Sequence, residues 1–276
     1  LATLKINARG QTRRFVLEPF LGTSSTISVL KLLPGNCSLC LQPISSQEHC
    51  LCGLCISKLP WLKTQCRQCA NPLKSNNLCA ECQQKPPSYR RCVAAFEYQK
   101  DSIDKLIMNI KTNSHSPETA QLSSLLSEVI TLAYQDSPMP TIMVPVPLHW
   151  RKLLIRGFNQ SSNIASILSR KLNNTAILDN ICIRRASSSP QHLKSRKNRI
   201  QGMGNAFRMH KNIDYKSDNK NNCTNNPIVG QSVAIVDDVV TSGATAESLA
   251  STLIRAGAKN VDIWCIARTG WHNRFD

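Results

Sequence analysis

The run Val233-Ala234-Ile235-Val236-Asp237-Asp238-Val239-Val240-Thr241-Ser242-Gly243-Ala244-Thr245 sets the tightest limit on what this chain can become. Its first four residues, apolar and rich in β-branching, predict a buried strand. Two acids follow, then a small turn with hydroxyls and a single glycine. Beyond it Ala246, Leu249, Ala250, Leu253 and Ile254 recur at helical spacing, and Gly257 marks the stop. A second strand at 261–267 completes a β-α-β unit, whose two strands pair in parallel. That connection commits the chain to an α/β architecture. The turn offers backbone N–H groups and hydroxyls at a helix N-terminus, where a phosphate is stabilised by dipole and hydrogen bonds together. Carboxylates so close would repel a phosphate unless they face sugar hydroxyls or a cation. A phosphorylated sugar with a divalent metal satisfies both halves.

No Gly-Lys-Ser/Thr follows the turn, which excludes a Walker loop, and one glycine is too few for a dinucleotide fingerprint. The full string resembles the phosphoribosyl-pyrophosphate (PRPP) signature of type I phosphoribosyltransferases.

Eight cysteines form four Cys-x-x-Cys pairs, Cys37/Cys40, Cys52/Cys55, Cys66/Cys69 and Cys79/Cys82. Each pair is a tight knuckle aiming two thiolates at one cation, and short intervals between pairs match zinc-ribbon hairpins. Four tandem pairs do not resemble a single redox dithiol. Up to two zinc ions are expected, consecutive pairs sharing one each (Cys37/Cys40/Cys52/Cys55, then Cys66/Cys69/Cys79/Cys82), with an interleaved cross-brace as the alternative. Four thiolates leave no open position, so the sites are structural, and metal binding replaces the apolar core that this loop-rich segment lacks. His49 and Cys50 crowd the second knuckle. Cys92, Cys182 and Cys265 lie among apolar residues and read as small buried hydrophobes, whereas Cys223 lies in a polar run.

Lys plus Arg exceed Asp plus Glu by 34 − 17 among 276 residues, a formal charge of +17 that favours polyanionic partners. Aromatics are 5% of the chain and do not interleave with the basic runs, so base stacking gains little support from composition. No membrane span is expected. Arg13-Arg14 precedes Phe15-Val16-Leu17, but Glu18 and Pro19 break the apolar run, so no cleavable signal is read. A reducing cytoplasm suits clustered thiolates. The chain begins with Leu, and residues 1–28 are assigned no function.

Residues 29–88 are read as a (double) zinc-ribbon module, closed by the stiff Pro86-Pro87-Ser88, and residues 89–276 as a parallel-sheet domain flanked by helices. Within the latter, 93–98 predicts a strand, 103–111 a short helix, and Pro117 opens a longer helix with Leu122, Leu125, Leu126, Val129, Ile130 and Ala133 at core spacing. An apolar strand at 142–147 ends in Val144-Pro145-Val146-Pro147. A basic turn follows with His149, Arg151, Lys152 and Arg156, guanidiniums suited to pyrophosphate oxygens. A helix with Ile164, Ile167 and Leu168 comes next. Residues 187–205 carry Lys194, Arg196, Lys197 and Arg199. They read either as an exposed arm or as a hood closing over an anionic ligand.

The tandem knuckles, Val144-Pro145-Val146-Pro147 before Arg156-Gly157-Phe158-Asn159-Gln160, and the acidic turn together resemble the ComF/GntX family, in its order and spacing from about Leu30 to Arg268. The resemblance implies a bacterial cytoplasmic protein with an N-terminal zinc module and a type I phosphoribosyltransferase-like domain, linked to natural competence and the use of external DNA. It implies that Asp237 and Asp238 hold the ribose hydroxyls and, indirectly, Mg²⁺. Thr241, Ser242, Gly243, Ala244 and Thr245 would cradle the 5′-phosphate. His149, Arg151 and Arg156 would face the pyrophosphate. Implied partners are PRPP or a related phosphosugar, single-stranded DNA, and DNA-uptake or helicase proteins. Thr241 stands where purine-type transferases often have an acidic base, and Thr112 stands where an aromatic often follows the lysine matching Lys111. Two functions are therefore carried forward. One is a DNA-uptake factor that kept the pocket as a phosphate-binding platform. The other is an active Mg²⁺-dependent phosphoribosyltransferase with an unidentified acceptor.

Overall fold

The computed structural model describes residues 35–44, 50–74, 77–98, 102–173, 175–184, 206–210 and 226–270. The cysteine-rich segment holds the hairpin β1 (Gly35–Asn36) and β2 (Pro43–Ile44) and the short helices α1 (Gly53–Ser57) and α2 (Ala80–Gln84). There follow β3 (Arg91–Glu97), α3 (Ser102–Thr112), α4 (Pro117–Ala133), β4 (Ile142–Pro145), α5 (Trp150–Arg156), α6 (Gln160–Lys171) and β5 (Ala176–Ile177). The chain continues through β6 (Cys182–Arg184), β7 (Phe207–Met209), β8 (Ser232–Val240), α7 (Ala244–Arg255) and β9 (Asn260–Arg268).

Five strands make one parallel sheet in the order β3-β9-β8-β4-β5. Period-two alternation sorts their side chains to two cores. Cys92, Ala94, Val233, Ile235 and Ile263 face α7, through Leu249 and Leu253, and the β6–β7 hairpin. Val93, Ala95, Ala234, Val236 and Trp264 face α3, α4 and α6. Pro117 occupies the first turn of α4, where its missing N–H is harmless. Leu122, Leu125, Leu126 and Ile130 are buried as expected, but Ala133 lies exposed at the helix end, and Ile254 of α7 is 38% exposed.

The cysteine-rich segment straddles the sheet. Cys37, Ile44, Leu51 and Leu59 join the three-helix core, whereas Cys66, Cys69, Cys79 and Cys82 join the core beneath α7. Between these two parts, residues 60–62 cover the outer side of β3. The Leu62 N–H donates to Ala95 O at 3.0 Å, and the Glu97 N–H donates to Pro60 O at 2.8 Å. Trp61 packs on Phe96 with ring centres 4.6 Å apart. A sheet edge that would otherwise present free backbone groups is thereby capped. Ser38 Oγ donates to Glu118 Oε1 (2.9 Å), and Ser88 bonds through N–H and Oγ to Glu247, at 2.8 and 2.6 Å. The Pro86-Pro87-Ser88 segment is thus fastened to α7. No helix among the described residues is long and apolar enough to cross a membrane.

Candidate phosphate-binding turn and zinc ribbons

β8 runs further than its apolar tetrad suggests, so Asp237 and Asp238 sit inside the strand, near its C-terminal end. The turn after it is Thr241-Ser242-Gly243, with Thr241 and Ser242 exposed. Gly243 has φ 76° and is the residue before α7, a left-handed conformation that glycine adopts without strain. Ser242 Oγ accepts from the Ala244 N–H (3.3 Å) and the Glu247 N–H closes the first helical bond to Gly243 O (2.8 Å). The remaining N–H groups of that first turn have no partner within the helix.

The two acids are held differently. Asp237 Oδ1 accepts from the Asp238 N–H at 3.0 Å and from Ser161 Oγ, on α6, at 3.2 Å. Burial pushes its carboxyl well above the ordinary aspartate range, and the charge on Asp238 adds to this. Asp238 Oδ1 accepts from the Val239 N–H (2.9 Å). Its Oδ2 is buried with no hydrogen bond, although Lys111 Nζ stands 3.3 Å away at ion-pair distance, off the hydrogen-bonding direction. A pair of crowded, incompletely satisfied carboxylates fits a site that takes sugar hydroxyls or a cation.

β4 lies beside β8 in parallel, so its exit opens at the same end of the sheet. The basic segment expected there as a turn is in fact the helix α5. Its apolar residues Leu153, Leu154 and Ile155 are exposed, so no buried face betrays it in the sequence. His149 caps α5, its Nδ1 accepting from the Arg151 N–H at 3.3 Å. Arg151 lies over the Trp150 ring (5.3 Å), and Arg156 donates to Gln160 Oε1 at 3.1 Å. Lys194, Arg196, Lys197 and Arg199 fall outside the described residues, between β6 and β7.

Several residues at this end were not singled out by the sequence as site residues. Lys111, at the end of α3, reaches Asp238, and Ser161 reaches Asp237. Arg184, on β6, has its guanidinium pKa lowered by burial while the Asp237 charge acts in the opposite sense. Arg268 is 1% exposed and meets the turn from below. Its one sequence signal is its place as the basic last residue of β9.

The eight paired cysteines gather as two tetrads of consecutive pairs, Cys37/Cys40/Cys52/Cys55 and Cys66/Cys69/Cys79/Cys82, each with its sulfurs within 4.8 Å of one another. The interleaved arrangement is excluded. Cys40 and Cys52 sulfurs are 3.7 Å apart, and those of Cys69 and Cys79 3.6 Å. A tetrahedral Zn²⁺ with ~2.3 Å bonds places its sulfurs ~3.8 Å apart, so both donor sets fit the ion. Knuckle N–H groups point at the sulfurs, from Cys52 to Cys37 Sγ (3.4 Å) and from Cys79 to Cys66 Sγ (3.3 Å). Burial acts to raise the Cys37 thiol, but such N–H bonds outweigh it and bring its pKa down to about 6; the same balance brings Cys66 to about 7. Cys50 is buried outside both tetrads, pushed up to about 11 by burial and then by the Glu118 charge. Cys92, Cys182 and Cys265 are buried, as expected of small hydrophobes. His49 and Cys223 lie outside the described residues.

A double zinc ribbon domain is recognised at residues 29–83. The DNA utilization protein YhgH of Escherichia coli K12 is 33% identical over 240 residues, covering 86% of this chain and 98% of that one. The chain belongs to the ComF family. Competence protein F of Haemophilus influenzae is 28% identical over 85% of this chain and 90% of its own, and competence protein ComFC of Bacillus subtilis 23% over 79% and 84%. A purine phosphoribosyltransferase from Pyrococcus horikoshii Ot3 aligns at 17% identity and a TM-score of 0.31, over 54% of this chain and 72% of that one. The architecture itself is read from the parallel sheet, its order and its flanking helices.

Proposed function

We propose that this ComF-family chain binds PRPP or a related phosphosugar with Mg²⁺ at the turn after β8, and acts in DNA uptake or utilisation by gripping single-stranded DNA. The observation that carries the ligand is the crowded Asp237–Asp238 pair directly before an exposed hydroxyl-bearing turn and a helix N-terminus. In this reading Asp237 and Asp238 hold the ribose hydroxyls, while Thr241, Ser242, Gly243, Ala244 and Thr245 take the 5′-phosphate. His149, Arg151 and Arg156 stand toward the pyrophosphate, and Mg²⁺ supplies neutralisation of its charge when bound. The relatives named for competence and DNA utilisation support the biological role. The +17 charge supports a polyanionic partner whose affinity falls steeply with salt. Lys194, Arg196, Lys197 and Arg199 are proposed contacts for it, and DNA-uptake or helicase proteins are proposed partners in a cytoplasmic setting.

Pyrophosphate release from PRPP with Mg²⁺ is the deciding measurement, over a panel of bases and DNA fragments, with Asp237→Asn alongside. Release that disappears in the variant establishes a transferase. Silence across the panel, with PRPP binding lost in the variant and salt-sensitive strand binding retained, establishes the platform. Absence of both PRPP binding and strand binding in the zinc-loaded protein refutes the proposal.

A further inference from the structure

The guanidinium of Arg268 joins two parts of the chain that the sequence keeps far apart. Its Nε donates to the carbonyl of Cys69, a member of the second tetrad, at 2.8 Å. Its Nη1 donates to Val240 O and Thr269 O, both at 3.0 Å, and to the carbonyl of Thr241. Three of these four acceptors are therefore a knuckle carbonyl, the last carbonyl of β8 and the first carbonyl of the phosphate turn. The Cys69 carbonyl is itself set by the knuckle, where the Ala70 N–H donates to Cys66 O (3.0 Å) and the Cys66 N–H to Asn71 O (2.8 Å). A knuckle of this kind keeps its shape because two of its sulfurs are tied to one ion. Arginine's planar fork can address several carbonyls at fixed angles, which an ammonium cannot.

We infer that Arg268 is a positioning residue, a strut through which the zinc-bound second ribbon holds the turn at 241–243 in its ligand-ready shape. Emptying the second tetrad frees the Cys69 carbonyl, and with it one end of the strut; emptying the first does not. The first tetrad lies against the opposite face of the sheet and shares no bond with Arg268. The ligand-binding consequence rests on the PRPP reading above, whereas the mechanical coupling does not.

The test uses the full chain loaded with two zinc ions and a nitrogen-donor chelator that takes Zn²⁺ and leaves Mg²⁺. Alkylation of freed thiols, read by mass, states which tetrad has been emptied at each step. Amide exchange is followed at Thr269, bonded to Val240 O, and at Glu247, bonded to Gly243 O, with 142–144 of β4 as the internal reference. Emptying the first tetrad should leave all of these unchanged. Emptying the second should speed exchange at Thr269 and Glu247 at least tenfold while β4 holds. In Arg268→Lys both amides should already exchange fast with zinc bound, and should ignore loss of the second ion.

Unchanged exchange at 247 and 269 on emptying the second tetrad overturns the strut. So does an equal rise in β4, which would mean that the ribbon supports the whole domain, and so does full zinc sensitivity in Arg268→Lys. If that variant fails to fold, stepwise chelation of the native chain decides alone. PRPP with Mg²⁺ should bind at least tenfold more weakly once the second tetrad is empty. If the fully loaded chain binds no PRPP, the PRPP reading fails and the exchange data still decide the strut.

Discussion

Replacing Asp237 by Asn should stabilise the ligand-free protein while removing its ligand binding. The side chain keeps its shape, and an amide oxygen can still accept from the Asp238 N–H and Ser161 Oγ, now at 3.0 and 3.2 Å. What disappears is a carboxylate charge that burial and the neighbouring Asp238 both oppose. A carboxyl pKa raised on folding helps most below the ordinary aspartate range, and that help is lost as pH rises through the folded value. At this site the native protein therefore forfeits stability with rising pH, and the Asn variant does not. For a half-buried, like-charged site the gain at pH 8 should be on the order of 1 kcal/mol, or roughly 2–4 °C in melting temperature for a domain of this size. Against PRPP the sign reverses. Two hydrogen bonds from ribose hydroxyls to a charged acceptor are worth about 1.5–3 kcal/mol each, so binding should weaken at least ~100-fold. Thermal melts from pH 5 to 9, with and without PRPP and Mg²⁺, read both effects. A variant less stable than the native chain at pH 8, or one whose melting temperature PRPP still raises fully, refutes the reasoning.

Three further outcomes follow from the same geometry. Gly243→Ala forces an L-residue to φ 76°, while the new Cβ meets only Tyr89 Oη at 3.8 Å; strain of about 1–2 kcal/mol should weaken phosphosugar binding more than it lowers the melting temperature, as calorimetry and melts compared side by side would show. Asp262 is fully buried and accepts from Arg90 Nε (2.9 Å), Arg90 Nη2 (2.5 Å) and Tyr134 Oη (2.6 Å). Asp262→Asn should cost about 3 kcal/mol in urea unfolding, near the lower end for breaking such a pair because Arg90 is partly exposed. Glu118 accepts from Ser116, Asn109 and Ser38; burial alone would raise its carboxyl, but these bonds hold it below the usual glutamate range. That stability is present above the ordinary glutamate value and lost as pH falls through the folded one, so Glu118→Gln should flatten the acid limb of the stability profile and cost about 1.5 kcal/mol at pH 7.

Periodicity makes the sheet legible in the sequence alone. The tetrad 233–236, the strand at 261–267 and the helix opened by Pro117 form where period-two and period-3.6 burial require them. α5 escaped because its apolar residues face outward, leaving its helical pattern without a core to match. Near-equal spacing of the Cys-x-x-Cys pairs favoured consecutive sharing without excluding a cross-brace, and the gathering of sulfurs in space decides it. The acids and the glycine of the turn announce themselves through neighbours in sequence. Lys111, Ser161 and Arg268 do not, because each reaches its partner across a long stretch of chain.

The capped edge of the sheet also bears on how the chain is made. The first strand of the sheet in sequence, β3, has its parallel neighbour in β9, the last. At the ~5–20 residues per second of synthesis, β3 waits on the order of ten seconds or more for that neighbour to leave the ribosome. Residues 60–62, flanked by two knuckle sets that are already complete, are available from the start. A nascent chain supplied with zinc therefore covers the outer edge of β3 well before β9 reaches its other edge, and one starved of zinc leaves both edges bare to every other unfinished copy around it.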